Sequence, residues 1–195
     1  DKLDTKRIPY FVCIGTELSY ADGIAPRIGT KLKKRYKVIG TLGDNVDNVT
    51  ISKKLEEIDK IDKSIYQVIS IDCAFHHNYK GTERIIIFEN GITPGSYLDR
   101  KHDNIGEFGI GINLSPMLSD INDFLTNEKR KDVYKVEVEV FSLLYDIINE
   151  YPLYMRIAIL ILSGMCKDEI LKELNISSEK YDKLLKNNIF KEIKK

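Results

Sequence analysis

Asp22 and Asp72 are the residues whose settings point to chemistry. Asp22 lies in the loop Gly15–Ala25 (GTELSYADGIA), between an apolar run and a helical pattern. Asp72 directly follows the apolar run Tyr66–Ile71. A carboxyl at the end of a buried strand needs partners, or its proton affinity rises. Two such carboxyls across a cleft can hold one proton between them. One then serves as general base toward water while the other, still protonated, serves as acid. Each also has a structural role open to it. Asp22 is placed to cap the following helix, as Asp often does, and Asp72 to anchor loop amides at a strand end.

Neighbouring residues widen the list. Thr16 and Ser19 offer hydroxyls in the first loop, with Thr16 a candidate substrate contact. Asp72 is followed by Cys73-Ala-Phe-His76-His77. His76 could join Asp22 and Asp72 in a carboxylate-rich site for a divalent metal, although adjacent histidines diverge and loop roles are the plainer reading. No other cofactor is expected. Cys73 has no base positioned by sequence and reads as a buried structural thiol. In Gly91-Ile-Thr-Pro-Gly95-Ser96, the amides of Gly95 and Ser96 could receive a peptide carbonyl or an anion. The loop lacks the Gly-Lys-Ser/Thr ending of a P-loop, and no GxSxG or HExxH occurs.

The elements that must position these groups follow from hydrophobic pattern. Ile8–Ile14 (IPYFVCI), Tyr36–Gly40, Tyr66–Ile71, Arg84–Phe88 and Phe108–Leu114 read as strands, the first and third buried on both faces. Helices are expected from Pro26, over Thr50–Ile61, near Pro116–Leu125 and over Val133–Tyr151. Gly109 and Gly111 thin the last strand, so another group can come close there. The alternation predicts an α/β fold: a three-layer sandwich with a mainly parallel sheet, whose ligands sit beyond the carboxyl ends of the strands.

After Tyr151 the pattern becomes all-α. Helices near Arg156–Leu162, Lys167–Leu174 and Ser178–Asn187, with a turn at Asn175-Ile176-Ser177, resemble a helix-turn-helix. The expected division is a peptidase-like α/β domain over 1–151 and a small helical tail over 152–195. The tail lysines could meet phosphates, but the helix after the turn, Ser178–Asn187, which would hold the recognition position, carries no Arg or Gln to read base edges. The default for Leu160, Leu171, Leu174 and Leu184 is therefore packing or homo-oligomer contact rather than DNA binding.

The 195 residues include 30 basic and 30 acidic ones, so net charge names no polyanionic partner. Cys13, Cys73 and Cys166 form neither a disulfide framework nor a zinc spacing. No signal-peptide pattern opens the chain and no apolar run spans a bilayer. The expected location is cytoplasmic, without membrane contact.

Four segments, CIGTELSYADGIAPRIGTKLKK, VIGTLGDNV, VISIDCAF and GITPGSYL, together resemble in order and spacing the YyaC-type sporulation proteins. These are relatives of the germination protease that degrades small acid-soluble spore proteins. The layout is more distantly similar to the hydrogenase-maturation endopeptidases. The resemblance covers residues 8 to 125 and implies a phosphorylase/hydrolase-like fold with an atypical aspartic peptidase site. Asp22, ahead of Pro26, and Asp72, in IDCA, match the two catalytic aspartates, or metal ligands in the maturation peptidases. Small acid-soluble spore proteins are the implied substrates. The chain departs from the family pattern at Gly23-Ile24-Ala25, where Ser-Leu-Gly is usual, and at Phe75-His76-His77. Three functions follow: a spore peptidase, a non-catalytic regulator acting through its tail, and a metal-dependent maturation endopeptidase.

Overall fold

The computed structural model describes residues 3–74, 83–95, 102–115, 130–187 and 189–193. The strands are β1 (Ile8–Cys13), β2 (Lys37–Ile39), β3 (Tyr66–Ala74), β4 (Ile85–Phe88) and β5 (Phe108–Asn113). They form one sheet in the order β2-β1-β3-β5-β4. All pairings are parallel except β4 with β5. The expected mainly parallel α/β fold is what forms. The sequence expectation for residues 116–125 lies outside the described residues.

Alternation along β1 and β3 builds two cores. Phe11, Cys13, Ile69, Ile71 and Cys73 pack on one face against α1 (Ile24–Leu32) and α3 (Arg130–Asn149). Val12, Ile14 and Val68 pack on the other against Ile51 and Ile58 of α2 (Ile51–Asp59). The result is helix–sheet–helix layering, in which each fully buried Ile or Phe contributes roughly 1.5–3 kcal/mol.

Two differences from the expected boundaries bear on the site. α1 starts at Ile24, not Pro26. Pro26 then sits in the first turn, where its missing N–H costs no intrahelical bond. β3 runs to Ala74, so Asp72 lies within the strand rather than beyond it. Pairing with β5 (Asp72 with Gly111, Ala74 with Asn113) extends it past the apolar run.

The tail comprises α4 (Leu153–Leu162), α5 (Lys167–Leu174), α6 (Ser178–Leu184) and the unexpected α7 (Ile189–Ile193). Asn175 closes α5 at φ 50°, a conformation Asn tolerates. The Ser177 hydroxyl accepts the Lys180 N–H to start α6. Met155, Ile159, Leu160, Ile170, Tyr181 and Phe190 form one apolar cluster with Ile8, and Leu171, Leu174 and Leu184 pack against it. The tail leucines are thus taken up within the chain. Among the described residues, no helix is long and apolar enough to cross a membrane.

Candidate active site

Parallel pairing of β1 with β3 brings the loop after β1 and the end of β3 to the same edge of the sheet. Gly15 turns the chain at φ 137°, and a Cβ there would collide with the Asp22 carbonyl oxygen. That close approach needs glycine. It folds the loop back so that the Asp22 carboxylate accepts the Thr16 N–H at 2.9 Å, while the Asp22 N–H donates to the Ser19 hydroxyl at 3.1 Å. Gly23, not Asp22, occupies the N-cap position of α1, and no side chain caps that helix. The structural role expected for Asp22 is therefore not the one it has. Its carboxylate is held by its own loop.

A buried ion cluster steadies this loop. Glu137 of α3, 2% exposed, binds Arg27 Nε and Lys31 Nζ, each at 2.6 Å. Arg27 donates onward to the Tyr20 carbonyl oxygen at 2.8 Å and stacks over the Tyr20 ring at 4.0 Å. The sequence reading missed this cluster. Its signal is Glu137 in register with the apolar face Val133, Val136, Val140 and Leu144.

Asp72 points to the sheet face opposite Cys73, because neighbouring strand residues alternate. Its carboxylate accepts the Cys73 N–H at 2.8 Å. Beside it opens a cavity of about 310 Å³. Gly111, the cross-strand neighbour of Asp72, leaves the floor bare, and the Phe88 ring leans over it. Ile86, Phe88 and Ile92 give the cavity an apolar wall, and Asn90, Thr93 and Asn104 line it with polar groups. A short antiparallel bridge to Ile105, a core residue, fixes Ile92 in place. The glycines of β5 thus do what their type suggested: they let side chains and open space approach the strand. The remaining lining comes from separate segments, which no local motif marks.

The Asp22 charge acts on Asp72. Burial pushes Asp22 up to about 6; the Thr16 N–H opposes this and the Asp47 charge adds to it. Burial pushes Asp72 further, to about 8, with the Asp22 charge adding and the Cys73 N–H opposing. The order is physically coherent: Asp22 ionises first, and Asp72 must then lose its proton against that charge. Near neutral pH the pair holds one proton. Asp22 lies outside the cavity lining, so Asp72 alone of the pair faces the open volume. Burial and both aspartate charges push the Cys73 thiol well above its ordinary range, with Arg27 opposing, so it is no nucleophile.

Residues 2–142 match the model of a family described as protein of unknown function, DUF1256. The chain belongs to the DUF1256 family. It is also 32% identical over 110 residues to the uncharacterized protein YyaC of Bacillus subtilis (strain 168). That match covers 53% of this chain and 53% of YyaC, so the chain spans about half the length of that curated relative. No solved structure matches the chain. The DUF1256 match includes both aspartates, the cavity and Glu137, and stops before α4.

The other candidates are placed less centrally. Thr16 acts on Asp22 through its backbone, and its hydroxyl accepts a long 3.4 Å contact from the Leu18 N–H. Gly95, at φ 66°, is just past the cavity-lining Gly91, Ile92 and Thr93. Ser96 and His76 lie outside the described residues, so the metal set Asp22, Asp72 and His76 is represented by its carboxylates alone. Among the described residues no three His, Cys, Asp or Glu groups converge to hold a metal ion.

Proposed function

We propose that this DUF1256 protein is a peptidase in which Asp22 and Asp72 activate water for hydrolysis of a peptide bond. The observation that carries the reading is geometric: parallel pairing of β1 and β3 brings two half-buried carboxyls to one edge of the sheet, and one of them, Asp72, lines a cavity. Burial raises both carboxyls, Asp72 above Asp22. Ionised Asp22 takes a proton from the attacking water. Protonated Asp72 gives its proton to the carbonyl oxygen as the tetrahedral centre forms. On collapse Asp22 passes the proton taken from water to the leaving amine nitrogen, and Asp72 regains its own from a hydroxyl of the tetrahedral centre as the carboxylic acid product forms. The cavity next to Asp72 is sized and lined for an apolar side chain of the substrate, with its polar lining meeting the peptide backbone. Backbone amides near Gly95 support the developing oxyanion. The resemblance to the germination protease supports a sporulation or germination role in the cytoplasm, with small acid-soluble spore proteins as substrates.

The test is cleavage of purified small acid-soluble spore proteins by the wild-type chain, Asp22→Asn and Asp72→Asn. The expected result is turnover by the wild type, greatest between pH 6 and 8, with each variant reduced by about 10²–10⁴-fold. Equal turnover by all three chains rules out the aspartate mechanism.

A further inference from the structure

The long helix α3 has two apolar faces. One, formed by Val133, Val136, Val140, Leu144 and Ile148, is buried in the core. The other is a stripe of Tyr134, Val138, Phe141 and Tyr145. Tyr134, Val138 and Tyr145 are 52%, 46% and 47% exposed, and Phe141 is half-buried. Spacing of four, three and four residues puts all four side chains on one line along the helix. Large apolar residues in a continuous stripe mark an interaction surface rather than ordinary solvated helix.

Three features say what covers it. First, the spacing 134, 138, 141, 145 reads the same from both ends. An identical helix running antiparallel therefore sets Tyr134 against Tyr145 of the second copy, and Val138 against its Phe141. Second, the charge beside the stripe changes sign along the helix. Arg130, Lys131 and Lys135 lie toward its start, with Asp132 bound to Lys135 Nζ at 3.1 Å, and Asp146 lies toward its end. Antiparallel pairing joins opposite charges, whereas parallel in-register pairing stacks like on like. Third, the Tyr145 end has a hole that the Tyr134 end can fill. A groove of about 470 Å³ beside Tyr145 is lined by Lys31, Leu32, Lys34, Phe141 and Ile148, among others. Lys31 Nζ already lies 5.6 Å from the Phe141 ring centre, so the groove suits a further aromatic ring among its cations. Knob and hole on one helix, mirrored about its middle, are the requirement for a two-fold interface.

We infer that the Tyr134–Tyr145 stripe of α3 is the contact through which two copies of this chain form an antiparallel two-fold dimer. Three alternatives (a foreign helix, an acidic protein, or no partner) are outcomes of the test. Sedimentation velocity of the full chain should show a species of twice 22.5 kDa. Val138→Glu and Tyr145→Glu, both at exposed positions, should keep the wild-type circular dichroism. They should weaken self-association on the order of a hundredfold by burying unpaired charge. Lys135→Glu should weaken it less, and Asp146→Lys in the same chain should restore it. In a Cys166→Ser background, oxidation of mixed Val138→Cys and Phe141→Cys chains should cross-link the two variants to each other rather than to themselves. A monomer at all accessible concentrations, a dimer indifferent to both Glu variants, or self-cross-linking of Val138→Cys alone would overturn the assignment.

Discussion

Replacing Asp72 by Asn tests the electrostatics of the pair without any substrate. Asn keeps the side-chain oxygen that accepts the Cys73 N–H and removes the ionisable proton. The sign follows from proton binding. The carboxyl titrates at its ordinary 3.8 when the chain is unfolded and at about 8 when folded. Between those values the folded chain holds a proton that the unfolded chain has released, so stability falls as pH rises through this window. From about pH 5 to about pH 9 the loss through Asp72 is about 4 kcal/mol, at about 1.4 kcal/mol for each tenfold change in proton affinity. Asp22, raised to about 6, adds about 1–2 kcal/mol of loss over the same range. Water entering the cavity beside Asp72 screens the charge and makes these figures upper bounds. Asp4, held low chiefly by its hydrogen bond to Arg7, changes stability only below this range. The assay is urea unfolding at a series of pH values. The wild type should lose stability steeply toward pH 9, and Asp72→Asn should keep only the shallow Asp22 part, becoming the more stable chain at high pH. A flat or rising wild-type profile, or a variant running parallel to it, refutes the reasoning.

Other outcomes are expected from packing. Iodoacetamide should label Cys166 alone in the native chain, because Cys13 and Cys73 are buried with raised thiol values; mass spectrometry before and after unfolding reads this. Glu137→Ala should cost about 1–3 kcal/mol in denaturant unfolding, since it leaves Arg27, 17% exposed, without its carboxylate, while Lys31, 42% exposed, turns to solvent. Gly40→Ala should lower stability by about 2 kcal/mol or more, because φ is 88° and the new Cβ meets the Cys13 carbonyl oxygen. Thermal unfolding reads it.

The sheet was legible because its strands carry their own signals. IPYFVC and YQVISI are apolar on both faces, as central parallel strands must be, and their order with intervening helices constrains the fold. What pairing adds was hidden. Asp72 reads as a strand end because hydrophobicity stops at Ile71, yet β5 supplies partners for three further residues. Asp22 reads as a cap because Asp precedes the helix. Only the backward fold of the loop at Gly15 shows its carboxylate turned to Thr16. The cavity joins Asp72, Phe88 and Ile92 from segments whose meeting depends on sheet order, which no local pattern encodes. The tail helices were readable from Ser177 and the amphipathic KDEILKEL, but not α7, whose five residues are too few for a periodic signal.

The proposed mechanism requires Asp22 and Asp72 to act as one coupled acid–base pair. Carbon-13 NMR titration of the two side-chain carboxyls tests it most directly. Asp22 should titrate near 6 and Asp72 near 8, and Asp22→Asn should lower the Asp72 value by removing the neighbouring charge. Two carboxyls titrating independently near 4, with Asp72 indifferent to Asp22→Asn, would contradict it.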